Sequence, residues 1–326
     1  DCGGQGYADY AADLGPLAPH LPADDFYADW ALAEFGPAVA ADAARLFAKA
    51  DGQMPRPSNW IGGPGGYAPN KKPWEEVGKD YAFVDEFAAL RPRVTGPGNI
   101  ERFDYWLNNM QFLRGMGRTC CIWGRYDEAA AKAKAEAEPA ARAKVARESV
   151  LPLRIELMRS VEDAYDHLLA TVNTAGEMGT VCNLEQHTFP TMIDATAKEL
   201  ADWLGEPLPD EAHLRRTYAG PPRLFVPTLR GSVRPGESLT VRAVVLDAAP
   251  APRVALHWRP LGTGDYREIA MDNIGRATYA ATIPPEAMAD DIEYWVEATA
   301  SGGGTLRCPA TAPEINQTVV RADIAR

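Results

Sequence analysis

The sequence predicts a multidomain α plus β protein, with an all-α helical domain over residues 1–220 and an antiparallel β-sandwich over residues 221–326. Three observations predict it. The chain of 326 residues is longer than one hydrophobic core usually organises, so two domains are expected. Apolar side chains recur at helical spacing from residue 24 to about residue 204. Beyond residues 220–222, a Gly-Pro-Pro linker, the spacing becomes that of strands.

The first helices are predicted in the segment "DDFYADWALAEFGPAVAADAARLFAKADG". Phe26, Trp30 and Ala33 share one helical face there. Gly36 followed by Pro37 is typical of one helix ending and the next beginning. Two adjacent helices are therefore expected.

Two longer helices are predicted further on. Apolar residues recur at steps of three and four from Phe103 to Cys120, and again from Val150 to Leu168. The segment between them, "DEAAAKAKAEAEPAARAKVARE", is rich in good helix formers but has few large apolar residues. It predicts a solvent-exposed helical hairpin tip that turns near Pro139.

The strands of residues 221–326 are short and alternate in polarity. "SLTVRAVVLD", "RVALHWRPL" and "DIEYWVEAT" each place apolar residues at every second position. The predicted inward-facing residues of the last two are Val254, Leu256, Trp258, Ile292, Tyr294, Val296 and Ala298. Such strands, separated by turn segments, predict an immunoglobulin-like or fibronectin III-like sandwich, although the paired cysteines of antibody domains are absent.

Charge and composition exclude several classes of function. The formal net charge is −12, and it lies almost entirely in residues 1–221, so no basic footprint of a nucleic-acid-binding protein exists. No run of apolar residues is long enough to cross a bilayer, so no membrane insertion is expected. Five cysteines without a C-x-x-C pair indicate neither a zinc knuckle nor a complete disulfide framework.

The chain begins at Asp1 without a methionine or an apolar leader. Either a signal peptide has been removed or the beginning of the protein is missing. The opening "DCGGQGYADYAADLG" enters at once on glycines and a short helical pattern, which favours a missing beginning.

The glycine-rich segment "NWIGGPGG" raises the question of a phosphate-binding loop. Such a loop needs a strand before it and a helix start after it, and this one follows a predicted helix and contains Pro64. Two interpretations stay open: a purely structural loop, or an aromatic wall of a ligand site that presents Trp60 and Tyr67.

Familiar catalytic and metal-binding motifs are missing. Neither G-x-S-x-G nor H-E-x-x-H occurs. Cys182, Glu185 and His187 lie close together in sequence, but one short segment rarely supplies a whole metal site. Neither a metal nor a cofactor is predicted.

Two polar constellations remain as candidate binding residues. Arg102, Tyr105 and Asn109 fall on one helical face, where they could line a cleft or form a polar seam between helices. The stretch from residue 173 to residue 187 predicts a polar loop, for which ligand contact and simple solvation are both open. Its candidates are Glu177, Asn183, Glu185 and His187.

One concavity is expected to unite most of these groups. We predict that the side chains of Trp60, Arg102, Tyr105, Asn109, Glu177 and Glu185 converge on it. Aromatic rings beside polar groups suit a carbohydrate, because hydroxyl groups take polar contacts while the sugar ring lies on an aromatic plane.

The segment "DWALAEFGPAVA" resembles the pattern W-x-x-x-x-F-G-x-x-x-A that follows the catalytic barrel in large bacterial glycosidases of the α-glucuronidase and α-N-acetylglucosaminidase kind. "RFDYWLNNMQFLRGMG" resembles the aromatic helix further along in those proteins, and "EYWVEA" and "CPATAPEINQTVV" resemble their terminal sandwich. The likeness covers roughly residues 24–125, with a looser echo in "NTAGEMGT".

The resemblance implies the C-terminal accessory portion of a glycoside hydrolase, with an upstream catalytic barrel and a carbohydrate as partners. It implies no catalytic residue here, because the barrel's carboxylates lie outside this chain. A periplasmic or secreted location is favoured, and a homodimer is possible. The rival hypotheses are a non-catalytic glycan-binding or cell-surface module and a structural or dimerisation scaffold.

Overall fold

The computed structural model describes residues 23–58, 66–215 and 217–322. It confirms an α plus β protein, since helices precede the strands along the chain and all but one of the strand pairs are antiparallel. The contacts divide it into two compact units. The helical unit extends to Thr171 and continues over Thr180–Leu214, while the strand unit comprises Val172–Gly179 and the chain from Arg215 onward. The predicted boundary at 220 thus differs from this division at residues 215–220 and 172–179.

The α-helices are numbered here in chain order. Helices α1 to α9 span Ala23–Phe35, Ala40–Ala50, Trp74–Val77, Ala82–Ala88, Pro97–Ala135, Pro139–Val145, Leu151–Thr171, Met178–Asn183 and Thr196–Leu204. Short 3₁₀ segments occupy Gly78–Tyr81, Arg91–Arg93 and Asp210–Ala212, and π-helical segments occupy Ala146–Val150, Leu184–Thr188 and Pro190–Ala195. No helix in the described part of the chain is both long and apolar enough to cross a membrane.

Aromatic rings from α1, α2, α4 and α5 form one core of the helical unit. Phe87 and Phe103 stack with ring centroids 4.2 Å apart, and Phe35 lies edge-on to Phe103 at 5.4 Å. Full burial of each such ring contributes about 1.5–3 kcal/mol. The predicted apolar stripe that begins at Phe103 is therefore confirmed, whereas Phe26, predicted on the buried face of α1, is 39% exposed.

Helix α5 has 39 residues and is about 58 Å long at 1.5 Å per residue. It continues through the predicted hairpin tip, and α6 begins at Pro139 as expected. The tip is not simply solvent-exposed, because Ala133 and Ala146 are completely buried and belong to the same core cluster as Leu200 of α9. Because the alanine side chain is small, helices that meet at Ala133 and Ala146 can approach closely.

The polar stretch predicted as a loop is largely helical from Met178 onward. Its buried residues include Leu184, Thr188, Met192, Ile193 and Leu200. Two π-helical segments, Leu184–Thr188 and Pro190–Ala195, interrupt the regular 3.6-residue turn, so the buried positions do not follow one α-helical stripe. The loop prediction is wrong for this segment because the helix does not keep one regular period.

The strand unit contains two sheets. Strands β1 to β10 span Arg223–Phe225, Ser232–Val233, Leu239–Leu246, Arg253–Pro260, Arg267–Ala270, Asp272–Gly275, Thr278–Ile283, Ile292–Thr299, Thr305–Cys308 and Gln317–Arg321. One sheet has the order β1-β3-β7-β6. The other has the order β2-β10-β8-β4-β5, and β9 also pairs with β8. The β2–β10 pair is parallel.

The predicted inward faces of β4 and β8 are confirmed. Leu256, Trp258 and Tyr294 are among the buried residues of a single core cluster that both sheets share. However, Glu293 and Trp295, predicted on the opposite face of β8, are also at least nine-tenths buried. Residues on the outer face of this sheet are therefore also shielded from solvent at Glu293 and Trp295.

Candidate functional site

Arg102 joins α5 to the end of α1. Its Nε donates to the backbone oxygen of Glu34 at 2.9 Å, and its Nη2 donates to Oδ1 of Asn99 at 2.7 Å. A cation is favourable at a helix C-terminus, where backbone oxygens carry partial negative charge. These contacts match the polar-seam interpretation of Arg102.

Tyr105 and Asn109 lie on the same helix as Arg102. The amide nitrogen of Asn109 donates to the backbone oxygen of Tyr105 at 2.9 Å, one turn back on α5. The Tyr105 ring lies edge-on to the Trp106 ring, with centroids 5.7 Å apart. These contacts are local to α5.

Glu177 belongs to the strand unit and caps the start of α8. Its Oε2 accepts hydrogen bonds from the backbone nitrogens of Asn173 at 2.7 Å and Thr174 at 2.8 Å. The backbone nitrogen of Glu177 donates in return to Oγ1 of Thr174 at 3.3 Å. This reciprocal pair is a capping box, whose T-x-x-E pattern is visible in "TAGE".

Asn183, Glu185 and His187 lie on the helical segments after that cap. Asn183 is half-buried, while Glu185 and His187 are exposed. Glu185 accepts a hydrogen bond from the hydroxyl of Tyr165 on α7 at 2.6 Å. Burial, together with this bond, raises the pKa of Tyr165 well above its usual range.

The described contacts give most of the candidates for the shared concavity local partners of their own, and that concavity stays a prediction. Trp60 lies outside the described residues. Glu177 belongs to the strand unit, whereas in the helical unit Arg102 contacts the end of α1 and Glu185 contacts α7. Hydrogen bonds within the protein already engage Arg102, Asn109, Glu177 and Glu185, each with nearby backbone or with a neighbouring helix.

The helical unit has a different cavity, of about 430 Å³, which we call the helical cavity. It is lined by Trp74, Glu75, Gly78, Lys79, Tyr81, Asp85, Gln111, Arg114, Gly115, Arg118 and Asp163. None of the predicted site residues that the structure describes is among them. At about 100° per residue, Arg118 lies about 160° around α5 from Arg102, so this cavity uses the opposite face of the helix.

Trp74 provides the aromatic surface of the helical cavity. Its ring is half-buried and lies 5.6 Å from the Tyr81 ring, centroid to centroid. Gly117 on α5 makes room for Tyr81, because a Cβ there would lie 2.3 Å from the Tyr81 hydroxyl oxygen. Burial raises the pKa of Tyr81 well above its usual range, so the phenol stays neutral.

The charged groups of the helical cavity fall into two sets. Arg114 is held by Oδ1 of Asp85 at 2.5 Å and by Oε1 of Gln111 at 2.5 Å. The second set makes no hydrogen bond or ion pair with any residue that the structure describes. It comprises Glu75, Lys79, Arg118 and Asp163, all of them exposed.

This arrangement can bind a ligand that both donates and accepts hydrogen bonds. The cations Lys79 and Arg118 offer donors, and the carboxylates of Glu75 and Asp163 offer acceptors, around the half-buried ring of Trp74. Positive and negative side chains are equal in number along the lining, so a neutral polar ligand is favoured over a strongly charged one. Among the described residues, no group of His, Cys, Asp and Glu side chains is arranged to hold a metal ion.

Two features of the sequence indicate parts of this cavity. Pro73 before Trp74 marks a helix start and places the tryptophan on its first turn. Arg114 and Arg118 are one turn apart on α5, along one edge of the stripe that begins at Phe103. Asp163 comes from α7, and only the fold brings it to the same place.

Comparisons with known proteins add no family. No protein-family model matches this chain, and no curated protein matches it.

Proposed function

We propose that this chain is the C-terminal accessory portion of a carbohydrate-active glycoside hydrolase of the α-glucuronidase or α-N-acetylglucosaminidase kind. Its helical unit packs on an upstream catalytic barrel and contacts the carbohydrate, and the whole protein is periplasmic or secreted. The helical cavity, with its tryptophan and unpaired charged groups, is the observation that carries the proposal.

The chemistry of the helical cavity supports a sugar ligand. A pyranose ring has an apolar face that packs on an indole ring and a rim of hydroxyl groups that donate and accept hydrogen bonds. Trp74 offers the first kind of contact, and Arg118 and Asp163 offer the second from different helices. The volume of about 430 Å³ is enough for one or two sugar rings.

The strand order supports an immunoglobulin-like assignment for the strand unit. The order β1-β3-β7-β6 corresponds to strands A, B, E and D of an immunoglobulin sheet, and β10-β8-β4 corresponds to G, F and C. Trp258 is buried on β4, where immunoglobulin domains carry their core tryptophan on strand C. In the proposed protein this module is a terminal accessory domain.

Catalysis belongs to the upstream barrel in this proposal. A glycosidase needs two carboxyl groups held across the scissile bond at a defined separation. The carboxylates of Glu75 and Asp163 are exposed and make no hydrogen bond with a described residue, so nothing positions them with that precision. The isolated chain is therefore expected to bind carbohydrate without hydrolysing it.

The experiment titrates the purified chain with soluble xylo-, cello-, manno- and chito-oligosaccharides by calorimetry. The same samples are assayed for release of 4-nitrophenol from a panel of aryl glycosides. The proposal predicts binding of at least one oligosaccharide and no release. Binding of none favours the scaffold hypothesis, whereas release by the chain alone makes the helical unit itself an enzyme.

The coding sequence upstream of Asp1 separates the two carbohydrate-binding alternatives. A catalytic barrel encoded there supports the glycoside hydrolase proposal. A signal peptide ending at Asp1 supports the non-catalytic glycan-binding or cell-surface module.

A further inference from the structure

The outer face of the β8–β4 sheet contains buried polar atoms without a protein partner. Three such side-chain atoms are Nε2 of His257, Nε1 of Trp295 and Oδ1 of Asn316. A fourth atom of this kind in the described part of the chain belongs to the helical unit. A buried donor or acceptor without a partner costs free energy, so a group of three in one region indicates a missing hydrogen-bonding partner.

Trp295 lies where β8 changes its neighbouring strand. The pairing of β8 with β10 covers Ile292 to Tyr294, and its pairing with β9 covers Val296 to Thr299. On the side of β8 where β9 and β10 lie, no described strand residue is paired with Trp295. We call this place the Trp295 gap.

The two faces of the Trp295 ring are covered differently. On the β4 side, His257 stacks on it with ring centroids 4.0 Å apart and planes 9° apart. On the β9 side, the guanidinium carbon of Arg307 lies 5.6 Å from the ring centroid. Arg307 is exposed, and the ion pair that holds it joins its Nε to Oε2 of Glu297 at 3.3 Å.

The side chains next to the Trp295 gap are polar and are hydrogen-bonded to one another. Tyr266 lies edge-on to Trp295 at 6.2 Å, and the Asn316 amide nitrogen donates to the Tyr266 hydroxyl at 2.6 Å. Glu293 is nine-tenths buried and accepts hydrogen bonds from Nε of Arg259 at 2.7 Å and from the Asn316 amide at 3.1 Å. This network fixes the Asn316 side chain against Tyr266, whose ring lies against Trp295.

We propose that the Trp295 gap is a second carbohydrate-contacting subsite, in the strand unit. A sugar ring stacks on the Trp295 face that Arg307 covers, after Arg307 turns aside. A hydroxyl group of the adjoining sugar unit, which lies beyond the edge of the indole ring and near its plane, accepts a hydrogen bond from Nε1 of Trp295, and another hydroxyl group donates to Oδ1 of Asn316. The class of ligand, a carbohydrate, rests on the proposed function. The residues that support this inference belong to the strand unit, whereas the helical cavity belongs to the helical unit.

The experiment follows the indole N–H signals of the full chain by ¹⁵N–¹H NMR while the same oligosaccharides are added. The Trp295 signal is assigned with Trp295→Phe. We expect at least one oligosaccharide to shift it. Arg307→Ala removes the cover and is expected to raise the affinity measured at this signal by up to about five-fold, the range of a surface ion pair. Arg242→Ala, an exposed arginine on β3, is the matched control and leaves it unchanged.

The two proposals fail in distinguishable ways. Arg118→Ala weakens binding at the helical cavity and leaves the titration of the Trp295 signal unchanged. A sugar that binds the chain but moves no Trp295 signal, in the wild type or in Arg307→Ala, overturns the subsite and leaves the proposed function standing. If no oligosaccharide binds at all, both proposals fall.

Discussion

Arg154 on α7 is a buried cation that the packing of the helical unit requires, and its removal is expected to be strongly destabilising. The side chain is completely buried. Its Nε donates to the backbone oxygen of Ala212 at 3.0 Å, and its Nη1 donates to the backbone oxygen of Ile193 at 2.9 Å and to Oγ1 of Thr196 at 2.5 Å. The Ile193 oxygen also accepts from the backbone nitrogen and the hydroxyl group of Thr196, whereas Arg154 is the printed donor to the Ala212 oxygen, so the loss of Arg154 leaves mainly that second oxygen without a protein donor among the described residues.

The magnitude follows from these bonds. A hydrogen bond to a charged group contributes about 1.5–3 kcal/mol, and a backbone oxygen left buried without a donor costs about 1–3 kcal/mol. Burial of the guanidinium lowers the pKa of Arg154 and offsets part of the gain. We expect Arg154→Met, which keeps the packing volume, to lower the free energy of unfolding by about 3–5 kcal/mol.

Urea denaturation followed by far-UV circular dichroism measures this loss. Arg159→Met on the same helix is the control, because Arg159 is exposed and makes no hydrogen bond or ion pair with a described residue. It should change the free energy of unfolding by less than about 0.5 kcal/mol. Equal stabilities of the two variants would refute the view that Arg154 satisfies these backbone oxygens.

Three further predictions address other parts of the chain. Glu177→Ala removes the oxygen that accepts from the backbone nitrogens of Asn173 and Thr174 and should cost about 0.5–2 kcal/mol in unfolding experiments without changing sugar affinity; a lost affinity with unchanged stability would contradict the capping role. Burial lowers the pKa of His257, so the folded protein favours the neutral ring. The stability that depends on the neutral ring is present above about pH 6.5 and is lost as the pH falls towards the folded-state pKa. His257→Phe should therefore reduce the dependence of the free energy of unfolding on pH, as measured by urea titrations at several pH values. Gly124→Ala puts a Cβ 2.1 Å from the backbone oxygen of Asn70 and should cost about 1–3 kcal/mol, whereas Gly302→Ala meets no atom within 4 Å and should be near neutral by the same assay.

The regular elements could be predicted because their side-chain periods are regular. The stripe from Phe103 to Cys120 follows the α-helical period, and the alternation from Ile292 to Ala298 follows the strand period. Each pattern has a buried face, which the structure confirms. The sequence thus indicated the α plus β class and the most strongly periodic helices and strands.

The helical segments after Gly179 could not be predicted in the same way. Their π-helical segments, Leu184–Thr188 and Pro190–Ala195, interrupt the 3.6-residue turn, so the buried positions between Leu184 and Leu200 do not form one regular α-helical stripe. The polar character that suggested a binding loop belongs to the exposed side of a helix.

The helical cavity could not be predicted because its lining comes from separate helices. Trp74 is 40 residues from Arg114 in sequence, and Asp163 comes from a helix on the far side of the hairpin tip. No local pattern records that these side chains meet. By contrast, the four consecutive residues "TAGE" contain the capping-box pattern, so the capping role of Glu177 could have been predicted from the sequence.

The change in sugar affinity caused by two cavity substitutions, relative to two matched controls, tests the central claim most directly. Arg118→Ala and Asp163→Ala each remove an exposed charged group of the helical cavity that makes no hydrogen bond with a described residue. Lys132→Ala and Glu128→Ala remove exposed charges elsewhere on α5. With the oligosaccharide that binds best, calorimetry should give an affinity loss of about ten-fold or more for each cavity variant, the value of one charge-assisted hydrogen bond, and none for the controls. Equal affinities for all four variants would contradict carbohydrate binding at the helical cavity.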